Sequence, residues 1–218
     1  LPILSKPLRK WLLVSMLSVL GSAGAMAAEQ SHFENFITRD GAQLKDGNRV
    51  FRFAGIHAPE LHRIEDDARG VCKADPRGWG QYFKWPTAEE QENWIRAMVQ
   101  TGAKAQRVYV LSVQQENDVA CGRATHILAP ETPDGMPRLN EEAMKVYDNM
   151  IAQADKQGLR LILPFIDHWW WWGGREQLAA FYHEKPEDFY RTDSKTFKAY
   201  LDVIRQVTTR TNTVTGRA

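Results

Sequence analysis

Residues 140–174 read NEEAMKVYDNMIAQADKQGLRLILPFIDHWWWWGG, and this stretch holds one complete helix-to-strand unit. Asn140 carries an N-cap side chain, and Glu141 and Glu142 suit the positive end of a helix. Ala143, Val146, Tyr147, Met150, Ile151 and Ala154 recur at helical spacing, and Gly158 ends the run. Leu159 to Ile166 follows as an apolar strand. Four consecutive tryptophans, Trp169 to Trp172, stand where that strand ends, with Asp167 and His168 at the junction and Gly173-Gly174 behind. Side chains alternate across the two faces of a strand, so four in a row cannot all enter one core. Indole faces stack on the C–H faces of pyranose rings while polar groups hold the hydroxyls, so this composition suits a sugar-binding mouth. A satellite apolar cluster under a loop is the competing reading.

The same unit repeats on either side. Upstream, Thr87-Ala88-Glu89-Glu90 is a capping box, with Trp94, Ile95, Met98 and Val99 as the apolar stripe and Gly102 as the stop. Ala105 to Leu111 is the next strand. Downstream, a third helix starts near Ser194, with Phe197, Tyr200, Leu201, Ile204 and Val207 on one face. Before all of these, Phe36–Arg39, Gln43–Lys45 and Val50–Gly55 read as short strands joined by Asp-Gly turns, the last of them the most buried. The order is β, α, β, α, β, α, which implies parallel strands with covering helices. The long segments, 55–86, 112–139 and 167–193, each follow a strand and precede a helix. A (β/α)8 barrel enlarges those same loops, because they build its active-site face. A doubly wound sheet is the alternative, but no glycine-rich phosphate loop follows the first strand. The expected fold is therefore α/β: a partial (β/α)8 TIM barrel of about three βα units behind an amino-terminal β-hairpin. A full barrel takes about 250 residues, and this chain has 218.

Composition narrows the function without naming it. The chain is 43% hydrophobic and 25% charged, with net charge +1 and no long charge block, so nothing marks a nucleic-acid surface. Lys6, Arg9 and Lys10 precede the apolar stretch Trp11–Leu20, and Ala25-Met26-Ala27 fits an A-x-A cleavage site. Residues 1–27 are expected to be a cleaved signal peptide, a membrane anchor being the rival reading. The mature part, 28–218, is expected to be secreted or periplasmic and not membrane-bound. Cys72 and Cys121 are the two cysteines, and export favours a disulfide between them over two buried thiols.

The stretch from Phe36 to Gly216 resembles the amino-terminal part of glycoside hydrolase family five, most closely its endo-β-1,4-mannanase-like members. The pieces that carry the resemblance are Phe51-Arg52-Phe53-Ala54-Gly55-Ile56, Arg107-Val108-Tyr109, the run from Ala152 to Pro164, Trp169 to Gly174, Asp188-Phe189-Tyr190, and Arg210 to Gly216. The resemblance implies a retaining glycosidase. Such enzymes use an acid/base and a nucleophile about 5–5.5 Å apart. In the family these glutamates end the fourth and seventh strands, the first within an Asn-Glu pair. The one Asn-Glu pair here, Asn140-Glu141, opens a helix, so no catalytic residue is carried over. Arg107 matches the second-strand arginine that supports the nucleophile; a structural ion pair is the alternative. Two positions depart from the family: His57 stands near where Asn is common, and Asp167-His168-Trp169 replaces Asn-Asn-Trp.

The candidate substrate-binding residues are therefore His57, Arg107, Asp167, His168, Trp169 and Trp171. His57, His62, Asp167 and His168 include zinc-binding residue types but lack a compact ligand motif, so neither metal nor other cofactor is expected. Glu60, Glu65, Asp66 and Asp67 read as a solvated acidic loop. No G-x-S-x-G elbow suggests a serine triad. Two function classes stand. One is a fragment of a secreted β-glycosidase acting on β-1,4-linked polysaccharide, mannan before cellulose, monomeric when full length. The other is a non-catalytic glycan-binding protein with an aromatic cleft.

Overall fold

A computed structural model describes residues 30–65, 83–170 and 172–218. Residues 1–27, where a signal peptide is expected, Cys72, Asp66, Asp67 and Trp171 lie outside the described residues. Cys121 itself is completely buried and is not a free thiol.

The elements in chain order are β1 (Ile37–Asp40), β2 (Gln43–Asp46), β3 (Arg49–Phe51), β4 (His57–Ala58), β5 (Ile64–Glu65), β6 (Phe83–Lys84), α1 (Ala88–Gln100), β7 (Ala105–Val108), β8 (Ile127–Leu128), β9 (Arg138–Leu139), α2 (Glu141–Lys156), β10 (Arg160–Ile162), α3 (Arg175–Ala180) and α4 (Lys195–Thr208). Strands β1, β2 and β3 form an antiparallel sheet. Strands β4, β7 and β10 form a separate parallel sheet in the order β10-β7-β4, with Arg107 opposite both His57 and Ile162. The helices α1 and α2 link consecutive parallel strands and pack on each other.

The helix ends obey their sequence signals. Thr87 Oγ1 accepts the Glu90 N–H, and the Glu90 carboxylate accepts the Thr87 N–H, so the capping box is complete. Asn140 and Ser194 cap α2 and α4 through Glu142 N and Phe197 N. The core lies between sheet and helices, where Val108 and Leu159 meet Ile95, Met144, Met150, Ala154 and Val203. Each large apolar side chain fully buried here contributes about 1.5–3 kcal/mol.

Four expectations are corrected. The segment Val50–Gly55 is not one barrel strand: β3 ends at Phe51 in the antiparallel sheet, and the parallel strand starts at His57. A Cβ on Gly55 would lie 2.0 Å from the Ala105 carbonyl oxygen, so glycine is what lets the chain cross onto the second strand there. The third parallel strand is shorter than the apolar run suggested. It stops at Ile162, two residues before Pro164, which has no N–H to give a ladder. The long segment after it contains a further helix, α3. Glu65 is not solvated: its side chain is fully buried against Arg63 and Arg123.

At the amino end of β10, Arg160 bonds Asp46 at 2.9 Å and the Asn35 carbonyl at 2.9 Å, and its guanidinium lies 4.1 Å from the Phe33 ring centroid. This contact ties the antiparallel sheet to the bottom of the parallel one and leaves the carboxyl ends of the strands to the long loops. Among the described residues no helix is long and apolar enough to cross a membrane.

Candidate functional site

At the carboxyl ends of the parallel strands, register sets His57 of β4 beside Arg107 of β7. His57 Nδ1 lies 3.0 Å from the Arg107 carbonyl oxygen, which can only accept, so Nδ1 carries the hydrogen. His57 Nε2 then accepts from Arg107 Nη1 at 3.1 Å. Among the described residues Arg107 has no carboxylate partner, so its charge is left facing the mouth.

Tyr109 extends this group toward the third strand. Its ring centroid is 5.8 Å from that of His57, and its hydroxyl donates to Asp167 Oδ2 at 2.8 Å. Burial and the neighbouring Asp167 carboxylate push the Tyr109 phenol well above its usual range. Asp167 then organises the tryptophan turn. Its other oxygen accepts the Trp169 N–H at 3.2 Å, and its carbonyl accepts the Arg175 N–H at 2.9 Å. A Cβ on Gly174 would lie 2.5 Å from that carbonyl, so the turn closes tightly.

The tryptophan run divides. Trp169 is 61% exposed and Trp170 45%. Trp172 is buried; its Nε1–H donates to the Val110 carbonyl at 3.1 Å, its ring meets the edge of Tyr109, and the Arg63 guanidinium lies 4.4 Å from a ring centroid of the indole. Behind it Gly173, at φ +82°, receives the Val113 N–H on its carbonyl at 3.0 Å. A Cβ there would stand 1.9 Å from the Val113 carbonyl oxygen, so glycine is obligatory.

His168, exposed, meets two residues that sequence reasoning left out of the site. Its Nδ1 is 3.3 Å from the Tyr190 hydroxyl, and its Nε2 is 3.5 Å from Arg175 Nη2. The Arg175 guanidinium also lies 5.3 Å from the Tyr190 ring centroid. Tyr190 stood in the Asp188-Phe189-Tyr190 motif, but a partner 22 positions from His168 cannot be read from spacing.

The sites of His62 and His57 are separate. His62 is fully buried, with Nε2 at 2.9 Å from the Tyr109 carbonyl and Nδ1 at 2.9 Å from His126 Nε2. The Ser112 N–H donates to His126 Nδ1 at 3.2 Å. Carbonyl and amide fix both rings as Nε2–H tautomers. Burial lowers the His62 pKa to about 4 and that of His126 well below its usual value. Beside them Arg63 touches Glu65, Arg123 reaches Glu65 at 3.0 Å, and Arg123 reaches Asp118 at 3.2 Å. No group of three or more His, Cys, Asp or Glu among the described residues is arranged for a metal ion.

No protein-family model and no curated protein matches the sequence, and the likeness to known proteins is one of shape. The endo-1,4-beta-mannanase from Rhizomucor miehei superposes with a TM-score of 0.63 at 17% identity, over 84% of this chain and 44% of that one. The fold is that of the family five mannanases. A family 5 mannosidase from Rhizomucor miehei gives a TM-score of 0.60 at 18% identity, over 86% of this chain and 46% of its own. The endo-beta-1,4-mannanase from Thermotoga petrophila gives 0.57 at 18% identity, over 78% and 32%. The chain thus spans less than half the length of the mannanases it matches, and it has a glycoside hydrolase fold built on a parallel sheet with covering helices.

Proposed function

We propose that this chain is the amino-terminal part of a secreted, retaining β-glycosidase acting on β-1,4-linked polysaccharide, with mannan as the fitting substrate. In this reading residues 1–27 are the signal peptide and 28–218 supply about three βα units of a (β/α)8 barrel, ending before the fourth strand. The mature protein is secreted or periplasmic, and monomeric when full length. A Cys72–Cys121 bridge joins the first two strand-following loops.

The observation that supports the reading best is the pairing of Arg107 with His57, opposite each other on adjacent parallel strands, with Tyr109 leading to the exposed Trp169. Barrel enzymes build their sites at those strand ends. Exposed indole gives a pyranose a stacking face, while Arg107, His57 and His168 offer directed hydrogen bonds. A retaining mechanism needs two carboxyl groups about 5–5.5 Å apart. Arg107 would hold the nucleophile of that pair, and this chain supplies neither member. It contributes substrate binding and not bond cleavage.

The second reading, a glycan-binding protein without chemistry, draws on Asp167. That carboxylate is engaged by the Tyr109 hydroxyl and the Trp169 N–H and serves the turn. Sequence downstream of Ala218 separates the two: an apolar strand ending in Asn-Glu supports the enzyme, a stop codon the binder. The activity test uses the purified 218-residue chain with mannan and with mannohexaose. Retained binding without release of reducing ends is expected, and clear release of reducing sugar overturns the assignment of both carboxylates to sequence beyond Ala218.

A further inference from the structure

Two large aromatic faces, Trp169 at 61% exposure and Tyr190 at 62%, stand in one loop cluster with His168 and Arg175. The cation of this cluster, Arg175, is unmatched among the described residues. Arg175 Nη1 reaches the Pro186 carbonyl at 3.5 Å and Nη2 reaches His168 Nε2 at 3.5 Å, both at the outer limit of a hydrogen bond. A guanidinium has five N–H donors, so most of its capacity is unspent. Among the described residues no carboxylate lies within ion-pair distance of it. The acids nearby are committed elsewhere. Asp188 holds Arg191 at 3.1 Å and the Lys185 N–H at 2.9 Å, and Asp167 holds Tyr109 and Trp169. Glu176 and Glu187 are exposed and make no ion pair with Arg175.

The hydrogen positions follow. Arg175 can only donate, so His168 Nε2 accepts and Nδ1–H donates to the Tyr190 oxygen at 3.3 Å. The Tyr190 hydroxyl hydrogen is then free for a ligand. An uncompensated planar fork, a free hydroxyl donor and an open indole face together call for an anionic group carried on a ring.

We propose that His168, Trp169, Arg175 and Tyr190 form a subsite for a carboxylate-bearing sugar, a uronic acid within a β-1,4-linked chain. The inference rests on the glycan-binding reading above and specifies its substrate. The sugar ring stacks on Trp169, and its carboxylate takes two N–H groups of Arg175, a geometry that the guanidinium plane matches. Neutral hydroxyls would leave the Arg175 charge uncompensated.

Two probes share stereochemistry and differ in the C6 oxidation level: β-1,4-mannohexaose and the β-1,4-linked mannuronate hexasaccharide. Their affinities for the 218-residue chain are to be measured by calorimetry at low and high ionic strength, with a sulfated mannohexaose as a third ligand. The mannuronate should bind about tenfold more tightly than mannohexaose, and the gap should shrink with salt. Arg175→Gln should abolish the preference, Arg175→Lys should keep part of it, and Trp169→Ala should weaken both ligands. Equal affinities for mannuronate and mannohexaose, or a preference that survives Arg175→Gln, overturn this inference alone. Tighter binding of the sulfated ligand than of the mannuronate overturns the choice of carboxylate. Binding of none of the three removes the glycan reading as well.

Discussion

Tyr109 donates its hydroxyl hydrogen to Asp167 at 2.8 Å and so joins the end of the second parallel strand to the turn that presents Trp169. The bond makes Asp167 a positioning residue. Tyr109→Phe should cost about 1–2 kcal/mol of stability and weaken mannohexaose binding, because Asp167 then orients the Trp169 N–H alone. Alkaline titration gives an independent reading. With its folded pKa raised above the ordinary value of about 10, Tyr109 contributes stability that is intact below that pH. That contribution is lost as pH rises, because the unfolded chain ionises first. Urea melts at neutral and alkaline pH, compared between wild type and Tyr109→Phe, check both; identical pH profiles would refute the Tyr109 assignment.

The His62–His126 pair predicts acid sensitivity. Its sign follows from the lowered pKa: between about 6.5 and 4 the unfolded chain takes up protons that folded His62 refuses. Stability therefore falls with pH across that window, by about 3 kcal/mol for His62 alone. Burial raises the carboxyls of Glu65 and Asp118, which work in the opposite sense. A His62→Gln/His126→Gln double variant isolates the imidazoles. It should be less stable at pH 7 and should show a flatter profile from pH 7 to 4. A double variant whose profile runs parallel to that of the wild type would count against neutral buried rings.

The Arg63–Glu65–Arg123–Asp118 chain joins β5 to the segment before β8 and is almost wholly buried. Desolvation lowers the Arg63 pKa to about 10, held there partly by Glu65. Glu65→Gln leaves two buried guanidinium groups without their shared carboxylate and should cost about 3–5 kcal/mol. Denaturant unfolding measures it, and a loss under about 1 kcal/mol would place this group in solvent, as an exposed ion pair would be.

A disulfide between Cys72 and Cys121 would close a loop of about 50 residues. On the chain-entropy account that is worth about 4 kcal/mol. Reduction should lower the melting temperature of the purified protein, and thiol labelling after denaturation without reductant should find none. Two labelled thiols would dismiss the bridge.

What sequence made legible was whatever depends on neighbours along the chain. Thr87 and Asn140 capped the helices they were expected to cap, and α4 began beside Ser194 as expected, because capping is satisfied within four residues. The parallel register of His57 and Arg107 put two of the named site residues side by side. Long-range pairings stayed hidden. Glu65 looked solvated because its acidic neighbours in sequence suggested a surface, while its partner Arg123 lies 58 positions away. Arg175 and Tyr190 joined His168 only through the fold of the loop after β10. The boundary between β3 and β4 was missed because an apolar run does not say which of two sheets each half enters.

The tryptophan run offers the sharpest contrast for the last prediction. Trp172 and Trp169 are three residues apart, and one is buried while the other is 61% exposed. Trp172 packs against Tyr109 and Arg63 and spends its indole hydrogen on the Val110 carbonyl. Trp172→Ala should therefore open a cavity, leave that carbonyl without its donor and cost about 3–5 kcal/mol. Among the described residues the Trp169 ring meets that of His168, edge to face at 5.1 Å between centroids, and gives up little when removed. Trp169→Ala should change stability by no more than about 0.5 kcal/mol. Its effect should fall on binding, about tenfold in mannohexaose affinity for a lost stacking face. Chemical denaturation and calorimetric titration of both variants separate the roles. Strong destabilisation by Trp169→Ala, or unchanged affinity in a folded Trp169→Ala protein, would show that the exposed indole does not stack on sugar.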